Sequence, residues 1–521
     1  MSVLGLDVGT SGCKAVIVDE EGTILAKAHR DYKTIVPHPG HLEINPEDIW
    51  KSVRVIIREV VNQVGDKVSA TCLATMGDSF VAVDKKADPV GNFILASDAR
   101  SSYETELLVN EVGREEIFKI TGMPPHPINT LTKILWLRRH DTETFLRSKK
   151  FLTAEDFIIS KLGVNPSISY SNACRTMAFD INHYKWSSEL LETAGITVNH
   201  LSDATPSGSI IGEIPPLVAS QFGLRKGVKI VSGGMDQACG SLGSNAILNG
   251  QIEDSMGTVE ALSLTMDDCG INQTMEKRLL EGHYSINIHV IPGKRLIMAL
   301  ILSAGAILNW FRDRFLKEEV QMAQTKGLSV FDYLLSQTAY GPTYLILLPY
   351  FTGSGTPCMN PMAKGVVFGL DLGTDKNDLL RAILQGIVHD VALNLDQFEN
   401  LGIPIREIKC VGGGSRSDYW LQLKADIIGK PVVKMKDNDA AVLGAAILAG
   451  VGTGIWTSYE EAIQCIVKHD TVFTTRPKFN HFFKEQKKIY KELCRKVENI
   501  FFHYESLIKR TQMDIFHTMK Q

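Results

Sequence analysis

The stretch from Leu4 to Asp19 constrains this chain most. An apolar strand runs into Asp7-Val8-Gly9-Thr10-Ser11-Gly12-Cys13-Lys14, and a second apolar strand, 15–18, follows at once. A hairpin of this kind holds phosphate. Gly9 and Gly12 permit a tight, positive-φ backbone whose N–H groups converge on an anion, Thr10 and Ser11 add hydroxyl donors, and Lys14 adds charge. Asp7, at the mouth of the loop, suits a hydrated Mg2+. An ordinary exposed turn is the competing reading, and the rest of the chain decides between them. Asp254-Ser255-Met256-Gly257-Thr258, ahead of the apolar run 259–264, repeats the strand-flanking Gly-Thr turn about half a chain later. One phosphate loop per half implies a nucleotide held between halves.

Length and charge narrow the class. The 521 residues, 44% of them hydrophobic, are ample for two or three domains with substantial cores. A net charge of −4 argues against a nucleic-acid footprint, which demands a basic surface. The cysteines at 13, 72, 174, 239, 269, 358, 410, 465 and 494 are odd in number and form no C-x-x-C pair, which fits a reducing compartment and speaks against zinc. Met1 leads straight into a core strand, and the longest nearly unbroken apolar run, 296–308, is too short to span a bilayer. The expectation is a cytoplasmic enzyme with no membrane or nucleic-acid partner; a homodimer is the one assembly entertained.

Along the chain, strands are expected at 4–6, 15–18 and 24–29, and a helix opens near Asn45-Pro46, where Pro fits the first turn. A strand at 69–75 leads into Met76-Gly77-Asp78-Ser79, β character resumes at 80–83, and helical periodicity dominates 103–162. The segment 206–229 reads as loop and re-enters a strand at 228–232 that ends in Gly233-Gly234-Met235-Asp236-Gln237. The domain junction is placed at 246–252, giving domains 1–246 and 247–521. Later a strand at 408–411 meets Gly412-Gly413-Gly414-Ser415 ahead of a helix at 417–428, and the last fifty residues are helical and basic. That basic face is read as solvated, as charge runs usually are.

Phosphoryl transfer to an alcohol needs a nucleotide cradle, a metal and a base for the attacking hydroxyl. Asp236 is the best candidate base, since it follows a buried-looking strand and two glycines that admit close backbone approach. An N-cap aspartate is the alternative. Gly412 to Gly414 resembles a nucleotide-binding turn with a helix N-terminus behind it, and a plain tight β-to-α connection is the alternative there. The ordered set of four is more specific than any member.

With those residues in place the chain resembles the FGGY family of carbohydrate kinases over nearly its whole length. The likeness rests on Asp7 to Lys14, Gly233 to Gln237, Gly257-Thr258, Asn309 to Asp313, Leu348 to Pro361, Gly412 to Trp420 with Lys424-Ala425-Asp426, and Ala440 to Ala446. It implies an α/β protein of two actin-like, ribonuclease-H-like ATPase domains closing on ATP and sugar in an interdomain cleft. It also implies that Asp236 is general base, that Thr10, Ser11 and Lys14 face the γ-phosphate, and that Gly257 and Thr258 form the second phosphate loop. Gly412, Gly413 and Gly414 would line the adenosine side, and Asp7 and Asp236 would hold Mg2+ through waters.

The substrate loop departs from its relatives. Where xylulokinases carry Gln-Met-His-Gly, this chain has Met76-Gly77-Asp78-Ser79, and a carboxylate at 78 is similar to polyol-type pockets. Asp78 is expected to accept hydrogen bonds from two substrate hydroxyls and to repel a substrate carboxylate, which ranks aldonates last; capping its own loop is the alternative. Asp98 and Arg100 are the next expected sugar contacts, with a surface salt bridge as the alternative. The reading is an ATP-dependent kinase of a small ketose such as xylulose. A polyol kinase of the erythritol or glycerol type is the runner-up, and a non-catalytic nucleotide-dependent regulator is the rival from another class.

Overall fold

Two mixed sheets carry the fold of the computed structural model, which describes residues 1–65, 67–337 and 340–518. In the first sheet β1 (Ser2–Val8), β2 (Gly12–Asp19), β3 (Ile24–Asp31), β4 (Val68–Thr75), β5 (Ile210–Glu213) and β6 (Lys229–Met235) lie in the order β5-β6-β4-β1-β2-β3. The second comprises β7 (Gln251–Met256), β8 (Glu260–Asp267), β9 (Ser285–Ile288), β10 (Lys294–Ile301), β11 (Glu407–Val411), β12 (Val432–Met435) and β13 (His469–Phe473), in the order β9-β10-β8-β7-β11-β12-β13. Without their edge strands the two sheets are the same object. Three antiparallel strands (β3-β2-β1; β10-β8-β7) continue into two parallel ones (β4, β6; β11, β12). This duplicated plan is the actin-like, ribonuclease-H-like ATPase fold.

The local chemistry explains the elements. Val3, Leu4, Leu6 and Val8 of β1 are all buried, as a central strand covered on both faces requires. In the helix Pro46–Val64 the Asn45 side chain accepts the Glu47 N–H, Pro46 sits in the first turn, and Gly65 closes the helix at φ 78°. Ile49, Val53, Ile56, Ile57, Val60 and Val61 form its buried stripe against the first sheet, each contributing about 1.5–3 kcal/mol of transfer free energy.

Two small-residue helices join the halves. The helix Ala440–Gly452 stands between β12 and β13 of the second sheet in sequence yet lies over β1: a Cβ on Gly5 would stand 2.3 Å from the Val442 carbonyl oxygen. It also crosses the helix Asp236–Gly243 at backbone distance. A Cβ on Gly444 would stand 1.9 Å from the Cys239 oxygen, and one on Gly243 1.9 Å from the Ala440 oxygen.

Several expectations change. The segment 103–162 is broken by the strand Lys150–Thr153, which pairs with Phe80–Val83 in a separate four-stranded sheet beside the substrate loop. The supposed loop 206–229 contains β5 and the helix Pro216–Gln221. The basic face of the helix Pro477–Thr518 is partly docked: Lys487 and Lys491 both reach Asp396, at 2.9 and 2.7 Å. No helix of the described residues is long and apolar enough to cross a membrane.

Candidate active site

The first loop is fastened from below. Gly9 N–H donates to the Gly12 oxygen at 3.0 Å, and Tyr32 gives its N–H to the Ser11 oxygen and its hydroxyl to the oxygens of Gly9 and Gly12. With the carbonyls held, Thr10 and Ser11 stand exposed at the tip. Gly12 serves a different purpose from the one expected. Neither Gly9 nor Gly12 has positive φ; Gly12 is needed because a Cβ there would lie 2.6 Å from the Arg30 oxygen of β3.

Asp7 and Lys14 are cross-strand partners in the β1–β2 register, so their side chains share a face. Burial, aided by the nearby charge of Asp236, pushes the Asp7 carboxyl up to about 7. Its buried Oδ1 has no hydrogen-bond partner. Asp236 is the first residue of the helix Asp236–Gly243, with Met235 at the cap position, and its Oδ1 accepts the Gln237 N–H at 2.7 Å. Burial pushes its carboxyl up to about 6, against the pull of that N–H and of Arg175. Two buried carboxylates, one raised by the charge of the other and carrying an orphan oxygen, fit a divalent cation. Lys14 reaches across to Asp439, Nζ to Oδ1 2.8 Å, just ahead of the helix Ala440–Gly452.

The second-half loops enclose a cavity of about 480 Å3 lined by Gly257, Thr258, Gly413, Gly414 and Arg416, with apolar walls from Leu308, Phe331, Leu380 and Trp420. The Gly257-Thr258 turn is gripped by the start of the helix Gly305–Phe315: Gly305 N–H donates to the Gly257 oxygen at 3.0 Å and Ala306 N–H to the Thr258 oxygen at 3.1 Å. Gly412, at φ 84°, opens the other wall. Its N–H donates to the Asn438 oxygen at 3.3 Å, while the Ser415 hydroxyl donates to Asn438 Oδ1 at 2.8 Å. An adjoining cavity of about 350 Å3 holds Lys14, Lys27, His29 and Asp439 and shares Arg416. Arg416 thus lies between the two sets of loops. A larger cavity, about 580 Å3, is lined by Arg278, Tyr284 and Asn400 and contains none of the expected residues.

Asp78 is placed differently from its expected role. It takes φ 58°, a left-handed conformation that Asp tolerates, and is buried. Its Oδ2 accepts both Nε and Nη2 of Arg175, at 3.0 and 2.7 Å, while Asn129 Nδ2 approaches Oδ1 at 3.4 Å. The carboxylate expected to meet two sugar hydroxyls therefore serves an arginine, whose Nη1 in turn donates to Asn287 Oδ1 at 2.9 Å. Nor does a neutral Asp78–Arg175 pair repel an anionic substrate, so the ranking of aldonates last loses its physical basis.

Asp98 and Arg100 are likewise turned inward. Asp98 Oδ1 accepts the Arg100 Nε at 2.9 Å, its Oδ2 accepts Arg100 Nη2 at 2.7 Å and the Leu42 N–H at 2.6 Å, and Arg100 Nη2 also reaches Glu43 at 2.6 Å. The guanidinium lies 5.0 Å from the Trp136 ring centroid. The salt-bridge alternative holds, except that the bridge is buried rather than at the surface. With both Asp98 oxygens and Nε and Nη2 of Arg100 engaged by protein, these side chains shape the loop 96–100.

The structure thus brings Asp7, Asp236 and Lys14 to one face of the first half and Gly257, Thr258, Gly413 and Gly414 around the cavity of the second, with Gly412 just behind. Sequence reasoning missed Arg175, Tyr32, Asn438 and Asp439. Arg175 had a signal, as a lone cation in the small-residue run 171–178. Asp439 had a weaker one, standing directly before the alanine-rich helix.

Comparison with known proteins agrees with this geometry. The N-terminal domain of the FGGY family of carbohydrate kinases matches residues 2–243 and the C-terminal domain of that family matches 264–453. A gluconokinase of Bacillus subtilis is 30% identical over 463 residues, covering 88% of this chain and 89% of its own. A xylulose kinase of Staphylococcus xylosus is 27% identical over 493 residues, covering 94% and 99%. Among solved structures, ligand-bound xylulose kinase from Lactobacillus acidophilus superposes with a TM-score of 0.86 at 24% identity, covering 96% of this chain and 99% of its own.

Proposed function

The chain belongs to the FGGY family of carbohydrate kinases, phosphotransferases with an alcohol acceptor, and we propose that it moves the γ-phosphoryl group of ATP to a terminal hydroxyl of a small ketose such as xylulose. The observation that carries this reading is the pairing of Asp236, its carboxyl at about 6, with Asp7 and its unpartnered oxygen on the same side of the cleft. Asp236 accepts the proton of the substrate hydroxyl; the hydroxyl oxygen bonds to the γ-phosphorus as the bond to the β–γ bridging oxygen breaks, and ADP leaves. Thr10, Ser11 and Lys14 hold the γ-phosphate, Gly257 and Thr258 form the second phosphate loop, and Gly412 to Gly414 wall the adenosine. Asp7 and Asp236 would hold Mg2+ through water, and the ion supplies neutralisation of phosphate charge when bound. The division into domains 1–246 and 247–521 is part of the proposal, as is water-excluding closure of the two.

A second reading is favoured by one observation. Arg175 neutralises Asp78, so the substrate loop 76–79 sets no free carboxylate against an aldonate, and the gluconokinase among the relatives makes gluconate the competing substrate. The polyol reading rested on a free Asp78 and loses that support. The test is ADP release with Mg2+ and ATP over pentuloses, hexuloses, C3 to C5 polyols and aldonates. A pentulose as best substrate is the expected result; gluconate as best selects the second reading, and no acceptor-dependent release overturns both.

A further inference from the structure

Below the second phosphate turn lies a fully sealed ionic cluster with no assigned role. Asp254 is near the end of β7, Glu260 opens β8, and Gly257-Thr258 is the turn between them. From the helix Asp418–Ile428 the Lys424 ammonium donates to Asp254 Oδ2 and, at 2.7 Å, to Glu260 Oε1. All three side chains are completely buried.

Composition of the cluster argues against simple stabilisation. A buried ion pair seldom surpasses well-packed apolar residues of the same volume, so three buried charges are poor stability chemistry. Here two acids face one base, and Asp254 Oδ1 and Glu260 Oε2 are left without partners. Burial and the charge of Asp254 push the Glu260 carboxyl well up. What such a cluster supplies is geometry. An apolar side chain at 424 would fill the space, whereas a directed ammonium fixes the separation of the strands on either side of the turn. Its helix begins directly behind Gly412 to Arg416 and carries Trp420, which lines the nucleotide cavity. The two walls also touch: Cβ atoms on Gly412 and Gly414 would lie 3.0 and 2.9 Å from atoms of Met256.

We propose that Lys424 is a positioning residue for the second phosphate turn, riveting Asp254 and Glu260 so that Gly257-Thr258 keeps a fixed distance from the Gly412–Gly414 wall. It acts through the turn and touches no substrate. The inference rests on the kinase reading of the site and predicts an effect confined to ligands that carry phosphate.

The variant is the charge-free triple Asp254→Asn, Glu260→Gln, Lys424→Met, with Lys424→Arg, which keeps the charge, beside it. Calorimetry on the full chain gives the Kd for ADP, for Mg2+ with a non-hydrolysable ATP analogue, and for adenosine. For the triple, ADP and analogue affinity are expected to fall about tenfold, the effect of losing one hydrogen bond to a charged group. Adenosine affinity and the sugar KM stay within about twofold, a span well under that of one such bond. Lys424→Arg, whose rigid fork mismatches the site, shows the same selective loss to a smaller degree and carries the test if the triple does not fold. A folded variant with unchanged ADP affinity, or one that weakens adenosine and ADP equally, overturns the proposal. Failure of the wild-type chain to bind any adenine nucleotide overturns the kinase reading first, and the proposal with it.

Discussion

Arg175 lays Nε and Nη2 on one oxygen of Asp78 at 3.0 and 2.7 Å, with both side chains shut away from solvent. The pair links the substrate loop 76–79 to the segment 170–176 and, through Nη1 and Asn287, to β9 of the second sheet. Gly77 makes room for it, since a Cβ there would lie 3.0 Å from Arg175 Cγ. An ion pair so placed is costly to half-remove, because the surviving charge has no water to turn to.

Asp78→Ala should therefore act on stability before specificity. Truncating one partner of a buried pair costs about 3–5 kcal/mol, far above the 1.5–3 kcal/mol order of a lost substrate hydrogen bond. Urea unfolding of Asp78→Ala and of the double variant Asp78→Ala/Arg175→Met checks this. The double variant should recover much of the loss; a single variant with wild-type stability and a changed KM would restore Asp78 as a direct sugar contact.

Asp236→Asn should lower kcat by about 10²- to 10⁴-fold while leaving the substrate Kd within a few-fold, as removal of a general base does. The acid form cannot accept a proton. Since burial holds that carboxyl near 6 rather than near the ordinary 3.8, kcat/KM of the wild type should fall as pH drops through about 6. A variant within a few-fold of wild-type kcat removes Asp236 from the base role.

Much of the architecture was legible because its signals are local. Gly-Thr turns, a strand ending in Gly-Gly-Met-Asp, and Asn45-Pro46 ahead of a striped helix each declare themselves within a few residues. What was not legible depends on contacts between distant segments. Arg175 meets Asp78 across 97 residues, and Lys14 meets Asp439 across more than 400, and neither spacing leaves a mark in sequence. Asp98 and Arg100 show the converse: two charged residues two apart read equally well as ligand contacts or as partners of one another, and only Glu43 and Leu42, brought in by a small sheet, decide. The matching strand orders of the two sheets share almost no sequence beyond the Gly-Thr turns, because backbone pairing rather than side-chain identity carries them.

Closure should be visible in solution. Lys14 of β2 and Lys27 of β3 pair with Asp439 and Asp437, so a γ-phosphate bound by Lys14, as proposed, would compete with Asp439 for it as the lobes meet. Such part-exposed pairs are worth only about 0–1 kcal/mol and yield readily. Small-angle scattering with substrate and a non-hydrolysable ATP analogue should give a smaller radius of gyration than either ligand alone. An unchanged radius with both ligands bound counts against a hinge.

Gly444→Ala should destabilise the joint between the halves. The added methyl would sit 1.9 Å from the Cys239 oxygen, and the opposing atom is backbone, so the two helices must part. Overpacking of this kind costs about 1–3 kcal/mol. Thermal unfolding reads it, and a variant melting with the wild type would mean that the crossing is looser than described.

Stability should also depend on pH through Asp390. It lies in the helix Lys376–Asn400, buried, with the hydroxyls of Tyr350 and Tyr490 each at 3.3 Å; Tyr490 belongs to the long C-terminal helix. Burial pushes its carboxyl from 3.8 up to about 7, although both tyrosines pull the other way by donating to the charged form. The fold therefore holds a proton that the unfolded chain gives up near the ordinary value. Above that value the native state binds more protons than the unfolded one, so raising the pH favours unfolding. The contribution is intact below about pH 4, shrinks as pH climbs toward 7, and levels off beyond. Asp156, also pushed up to about 7 by burial, adds a loss of the same sign. Asp390→Asn keeps the shape and removes the titration, so its unfolding free energy relative to wild type should rise between about pH 4 and 7 and level off beyond. Urea unfolding at four pH values measures that difference, and hydrogen exchange along 477–500 locates it. If the variant and the wild type lose stability in parallel across the range, Asp390 is ionised in the native state and the two tyrosines outweigh its burial.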